Sequence, residues 1–214
     1  MVAVYREIAA RRIRSAGEKY SVQTLTLLFF AFSMAGWLWE VMLHVVFDGE
    51  LVNRGTLLGP WLPIYGAGGV AVVILLRRLA DRPQMLFAAS ALLCGAIEYG
   101  TSVYLEAVYG LRWWDYSTYT FNIGGRICLE TMLLFGVGCC VAVYAAAPAL
   151  AARIGRLPKA GRNVLCAALV VLFAFDFAWS TIHPNIGPGV TEHAGIQQVR
   201  LFDHAQLTAL ARTF

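Results

Sequence analysis

Five carboxylates interrupt otherwise apolar stretches of this chain: Glu40, Glu98, Glu106, Glu130 and Asp176. An ionised side chain at membrane depth costs a few kcal/mol on insertion scales. Residues of this type in such surroundings must face one another, an arginine, a cation or water. Arg126 stands four residues before Glu130, and Arg54 could reach down from the loop after the first span, but two arginines cannot neutralise five acids. The remaining solutions are protonated carboxyls, stabilised in the neutral form by desolvation and mutual repulsion, a wet cavity, or a bound cation. Spacing narrows the arrangement. Glu98 and Glu106 are eight residues apart, nearly on one helix face. Trp37 precedes Glu40 by three residues and His44 follows it by one turn. Arg126 precedes Glu130 by four residues, a spacing at which two helical side chains can pair.

Elements able to carry these residues follow from composition. Of 214 residues, 59% are hydrophobic and only 14% charged, with a mean hydropathy of +0.63. Soluble domains carry about a quarter charged residues. The chain therefore reads as an all-α, polytopic membrane helix bundle. Its net charge of +4 is spread in patches rather than one stripe, which argues against nucleic acid. The five cysteines lie in apolar runs without a CxxC pair or a zinc-type spacing, so neither a metal nor a cofactor is expected. The first twenty residues are too polar for a cleaved leader, and the first span is expected to act as an uncleaved anchor.

A spanning helix needs roughly 20 mostly apolar residues. Five transmembrane helices are predicted, over Val22–Phe47, Trp61–Leu76, Gln84–Val108, Gly125–Leu150 and Val164–Ile182. The Lys and Arg residues between them alternate: five before the first span, then one, three, two, four and two. By the positive-inside rule this places the N-terminus in the cytoplasm and the C-terminus outside. The predicted organisation is a basic interfacial segment over 1–21, a membrane domain over 22–182, and an extracytoplasmic tail over 183–214 with a short amphipathic helix. Applied to the carboxylates, this orientation puts all five in the outer half of the membrane.

Two polar segments share that side. The first is GELVNRGTLLGPWLPIYGAGG, from Gly49 to Gly69, where Pro60 and Pro63 exclude a continuous helix. Irregular backbone at membrane depth is tolerated where it is buried in protein or lines a cavity. The second is LRWWDYSTYTFNIGGRICLE, from Leu111 to Glu130, expected to fold over the acidic layer, with Trp113 and Trp114 as a lid. The candidate ligand-binding set is therefore Trp37, Glu40, Asn53, Arg54, Tyr65, Glu98, Tyr99, Glu106, Trp113, Trp114, Asp115, Tyr116, Asn122, Arg126, Glu130 and Asp176. Buried acid–arginine pairs also lock helices together without any ligand, and aromatic residues anchor spans at interfaces. No catalytic residue is assigned: HExxH and GxSxG are absent, and Ser117 lies close to Asp115 without a histidine nearby in sequence.

Gly36-Trp37-Leu38-Trp39-Glu40, Val52-Asn53-Arg54-Gly55, Gly59-Pro60, Pro63-Ile64-Tyr65-Gly66, Glu98-Tyr99, Leu105-Glu106, Trp113-Trp114-Asp115-Tyr116-Ser117 and Phe121 to Cys128 together resemble the bacterial ABC-transporter type IV family of multi-spanning proteins. The resemblance covers about residues 25 to 150 and leaves the fifth span and the tail outside it. It implies a permease-like transporter component in the bacterial inner membrane, surrounded by lipid, working with a separate cytoplasmic ATPase. The chain has no Walker A pattern of its own. Self-association is left open.

Three functional readings stand together. The first is a transporter component whose outer acidic and aromatic pocket binds a cation, a proton or a small polar solute. The second is a membrane-embedded enzyme using carboxylates and arginines on a lipid-linked or periplasmic substrate. The third is a structural or regulatory subunit. A wet cavity favours the first two; a dry, fully paired cluster favours the third. On the pocket reading, Glu40→Gln, Glu98→Gln and Arg126→Ala are expected to impair function while membrane-fraction yield stays at the wild-type level; intact activity in all three rules it out.

Overall fold

The computed structural model describes residues 20–191. The basic segment before Tyr20 and the predicted amphipathic helix after Thr191 lie outside the described residues. Five helices follow in order: α1 Val22–Phe47, α2 Pro63–Leu75, α3 Pro83–Tyr109, α4 Leu129–Gly155 and α5 Lys159–Ile182. Among the described residues there is no strand, only an isolated bridge between Ile123 and Ile127. Helices α1, α3, α4 and α5 are long and apolar enough to cross a membrane.

Helix α2 differs from the expected span. Its 13 residues reach about 20 Å, against a hydrocarbon core of about 30 Å. Pro63 occupies its first turn, and Leu62 before it is extended, its amide donating to the Ser33 carbonyl of α1 at 3.0 Å. The residues before α2 form irregular loop packed on α1. Helix α4 also departs from the expected bounds. Its start is held back to Leu129 because Phe121, Gly124 and Gly125 all have positive φ. Within it, Ala142–Ala146 form a π turn. Pro148 has no amide to offer the Tyr144 carbonyl, which accounts for a local break in the α ladder. Tyr144 uses its hydroxyl to donate to the Ala80 carbonyl at 2.8 Å, tying α4 to the turn after α2.

Helices α1 and α2 form one close pair, and α3 and α4 the other. Small residues set the first contact. A Cβ on Gly36 would collide with the Tyr65 ring, and one on Gly66 would collide with Ser33 Oγ and the Phe29 carbonyl. Leu28, Val72, Val73, Leu86, Cys139 and Val143 fill the interior between the pairs. A second cluster, Phe30, Leu57 and Trp61, holds Phe29, Leu169 and Phe173 against the loop after α1. Edge-to-face contacts link these rings, with Trp61 and Phe173 centroids 5.9 Å apart. Helix α5 is joined to the bundle mainly along α1; Val171, Leu172, Phe175 and Phe177 point away from it. That apolar outer surface suits lipid.

Gly66→Val is expected to destabilise the bundle by about 1–3 kcal/mol through overpacking against α1. Gly100→Ala, where nothing lies within 4 Å, is the neutral comparison. Thermal unfolding in detergent checks both, and equal midpoints would remove the close contact from the account.

Candidate functional site

The loop after α1 is held at its far end by a single carboxylate. Asp176 of α5 accepts from the Leu58 amide at 3.1 Å, the Gly59 amide at 2.9 Å, the Trp61 indole at 2.7 Å and the Ser180 hydroxyl at 3.1 Å. It is 9% exposed, and its oxygens are taken up by the loop. Asp176 therefore stands apart from the other acids, as the acceptor for irregular backbone that has no helix partner of its own.

Arg54 binds the same loop from its other end. Its Nε donates to Glu40 Oε2 at 3.2 Å, Nη1 to the Gly189 and Val190 carbonyls, and Nη2 to the Trp113 carbonyl at 3.2 Å. Glu40 Oε1 accepts from the Tyr65 hydroxyl at 3.0 Å. Trp37 Nε1 donates to Asn53 Oδ1 at 2.6 Å, and Asn53 Nδ2 donates to the Leu58 carbonyl at 3.0 Å. Asn185 completes the lock. Its side-chain amide donates to the Asn53 carbonyl at 2.8 Å and the Gly55 carbonyl at 3.1 Å, its backbone N–H donates to the Thr56 carbonyl at 3.0 Å, and its carbonyl accepts from the buried Trp113 indole at 3.3 Å. Three polar segments, after α1, α3 and α5, are thus joined through Arg54, Asn185 and Trp113.

The segment between α3 and α4 faces α3 and itself. Glu106 Oε2 accepts from Arg112 Nε at 3.1 Å and from Arg126 Nη2. Arg126 also donates to Ser102 Oγ at 3.0 Å and lies over the Tyr99 ring, 5.9 Å from its centroid. Trp114 Nε1 donates to the Arg126 carbonyl at 2.9 Å, and the Tyr116 amide to the Gly125 carbonyl at 2.7 Å. Asn122 and Asp115 shape the turn: Asn122 Oδ1 accepts from the Gly125 amide at 3.0 Å, and Asp115 Oδ1 from the Ser117 amide at 2.9 Å. Gly125 at φ 68° has no room for a Cβ beside Asp115.

One expected pairing does not form. Glu130 is exposed on α4 and is not the partner of Arg126. The four-residue spacing fails because Arg126 precedes the helix, which starts at Leu129. His44 pairs with Asp48 at 2.6 Å instead of lining the acidic layer.

Glu98 is the exception to this saturation. It is 4% exposed on α3, and its Oε1 accepts from the Tyr116 hydroxyl at 3.1 Å. Its Oε2 is buried with no hydrogen-bond partner. Burial, followed by the charge and hydrogen bond of Glu98 and the charge of Glu40, pushes the Tyr116 phenol up from its ordinary pKa. Tyr116 is therefore a neutral donor to Glu98, and both carboxylates act on the same site.

The sequence-predicted residues divide accordingly. Trp37, Glu40, Asn53, Arg54, Tyr65 and Trp113 form one network; Tyr99, Glu106, Trp114 and Arg126 form another; Tyr116 leads to Glu98. Asp115 and Asn122 hold the turn, while Glu130 and Asp176 lie apart. Sequence reasoning missed Asn185, Ser180, Ser102, Arg112 and Trp61 as partners. Ser180 and Ser102 were findable, each four residues along a helix from an acid already singled out. Asn185 gave no periodic signal. Among the described residues, no three His, Cys, Asp or Glu side chains gather where a metal could sit.

The family model described as Putative ABC-transporter type IV matches residues 27–181, and the chain belongs to that family. The match extends beyond the 25-to-150 stretch expected from the motifs and takes in α5, Asp176 included. No curated protein and no solved structure matches the chain.

Asp176→Asn replaces one acceptor oxygen by an NH2 facing donors, and is expected to cost about 1.5–3 kcal/mol. It should also open the 49–62 loop to protease. Asp115→Asn, on an exposed turn, is expected to stay within about 0.5 kcal/mol. Unfolding midpoints and limited proteolysis in detergent read both effects.

Proposed function

We propose that this multi-pass, transporter-related membrane protein is a permease-like component of the bacterial inner membrane, with its N-terminus in the cytoplasm and a proton or small-cation site at Glu98. The reading rests on one observation: a carboxylate 4% exposed, with one oxygen held by Tyr116 and the other without a partner. An orphaned carboxylate oxygen away from water is costly. A proton or a small cation removes that cost; a neutral solute with a donor group would do so less completely. Glu40, whose charge reaches the same tyrosine, adds repulsion that either species would relieve.

The remaining polar side chains act as the frame of this site. Arg54 and Asp176 have spent their bonding on backbone and neighbours, so the candidate ligand set narrows to Glu98, Glu40, Tyr65 and Tyr116. Tyr116 is carried on the loop that Trp113 and Trp114 pin down, and release of its bond to Glu98 would expose the site to the polar side of the bundle. Continuation through the inner halves of the spans, which are almost purely apolar, requires a moving gate, a second copy or a partner. A cytoplasmic ATPase docked on the short basic loops would supply the energy this chain lacks a motif to extract. The enzyme reading draws no support from the described histidines, His44 being paired with Asp48 and His183 stacked on Trp179 at 4.5 Å.

Infrared difference spectra of the full chain in nanodiscs test the site directly. Wild type is expected to show a protonated-carboxyl band that disappears as pH rises, or on adding the bound cation at constant pH. The band should vanish in Glu98→Gln and persist in Glu130→Gln. A band unchanged in Glu98→Gln, or no such band at any pH, overturns the assignment.

A further inference from the structure

At the opposite end of the bundle, an apolar groove of about 340 Å³ runs between α1, α2 and α5. Val22 and Phe29 of α1, Val70 and Ile74 of α2, and Val170 and Phe173 of α5 line it. Its one hydroxyl, on Thr26, is consumed by the Val22 carbonyl at 3.0 Å. The groove starts at the first residues of α1 and the last turn of α2, and ends near mid-membrane at the Phe30–Phe173 ring pair.

Arg162 lies about two helical turns before Val170, the first α5 residue of the groove. On α5 the residues Arg162, Cys166, Val170 and Phe173 follow at intervals of four, four and three, so they share one face. Cys166 Sγ contacts the Gln23 carbonyl at 3.5 Å, which turns that face onto the start of α1. From Arg162 to Phe173 the helix rises about 16 Å. Arg162 Nε is buried and has no hydrogen-bond partner, and no carboxylate pairs with the side chain among the described residues. A guanidinium N–H in that position wants an anionic oxygen. The same end of the bundle carries Arg77, Arg78, Arg82, Arg153, Arg156 and Lys159 against one described acid, Asp81.

We infer that this groove and Arg162 bind one anionic phospholipid, its phosphate held by the Arg162 guanidinium and one acyl chain lying along Val170 and Phe173. Charge complementarity selects the occupant. An apolar groove alone accepts any chain, whereas a guanidinium without a carboxylate partner, at an end of the bundle rich in arginine, discriminates for a negative headgroup. The site is independent of Glu98, and the inference rests only on the chain being membrane-embedded.

Native mass spectrometry of the delipidated full chain, with phosphatidylglycerol or phosphatidylethanolamine of identical acyl chains added, provides the test. Wild type is expected to retain one phosphatidylglycerol per chain and phosphatidylethanolamine roughly tenfold less. Arg162→Gln should weaken phosphatidylglycerol retention roughly tenfold, the loss of one charge-assisted hydrogen bond. Val170→Trp should weaken it comparably by filling the groove with the arginine still present, while Leu165→Trp, on another face of α5, should not. Equal retention of both lipids by wild type overturns the inference without any variant. So does wild-type retention in both Arg162→Gln and Val170→Trp, or a lipid-free dimer, or cross-links placing residues 1–19 in the groove with no lipid bound.

Discussion

Backbone amides that leave a helix and are buried away from water need acceptors, and this fold meets that constraint with Asp176. The Leu58–Trp61 segment has neither helix nor sheet partners for its donors. A carboxylate brought from α5 supplies them, and Ser180 one turn on steadies it. Much else follows. With that loop fixed, α2 begins only at Pro63 and is 13 residues long. With α2 short, Tyr65 lies one helix turn below the loop and reaches Glu40, while Gly36 clears the space its ring fills. The same loop presents Arg54 to three other segments. A charge that costs energy in isolation is thus retained because it replaces several unsatisfied groups at once.

The polar side of the bundle consequently behaves as two kinds of material. Around Arg54, Asn185 and Asp176, donors and acceptors are matched to the point where a ligand would have to displace protein. Around Glu98 they are not. Tyr116 gives one hydrogen bond to a carboxylate that has room for more, and it is held in the neutral form that can give it. Rigidity in the first region makes the deficit in the second meaningful, since a mobile frame would close on Glu98 Oε2 and satisfy it. Glu106 illustrates the contrast. It sits two turns along the same helix, is partly exposed, and is covered by two arginines.

What could be read from the sequence, and what could not, divides along the same line. Apolar length and the alternation of basic residues point to a helical membrane bundle, and the acids on α1 and α3 are recognisable from their incongruity with their surroundings. Long helices announce themselves through composition, whereas α2 does not, because a short helix and its irregular approach have the hydropathy of one span. The Arg126–Glu130 pairing failed for a related reason: helical spacing means nothing until the helix start is known, and Phe121, Gly124 and Gly125 postpone it. Partners such as Asn185 stay hidden, since they meet Asn53 and Gly55 across more than a hundred residues of chain.

The two ends of the bundle solve opposite problems. At the polar end Arg54 covers Glu40, Arg112 and Arg126 cover Glu106, and backbone amides, an indole and a hydroxyl cover Asp176, while one oxygen of the buried Glu98 is left without a partner. At the other end cations predominate and Arg162 finds no acid among the described residues, and the inferred lipid phosphate would supply the missing negative charge. The asymmetry is therefore a statement about solvent: the chain keeps its negative charge where it can be covered by protein, and leaves positive charge where lipid can cover it. Helix α5 links the two, carrying Asp176 toward one end and Arg162 toward the other on a helix joined to the rest chiefly along α1. A displacement of α5 would thus act on the loop that frames Glu98 and on the groove beside Arg162 together.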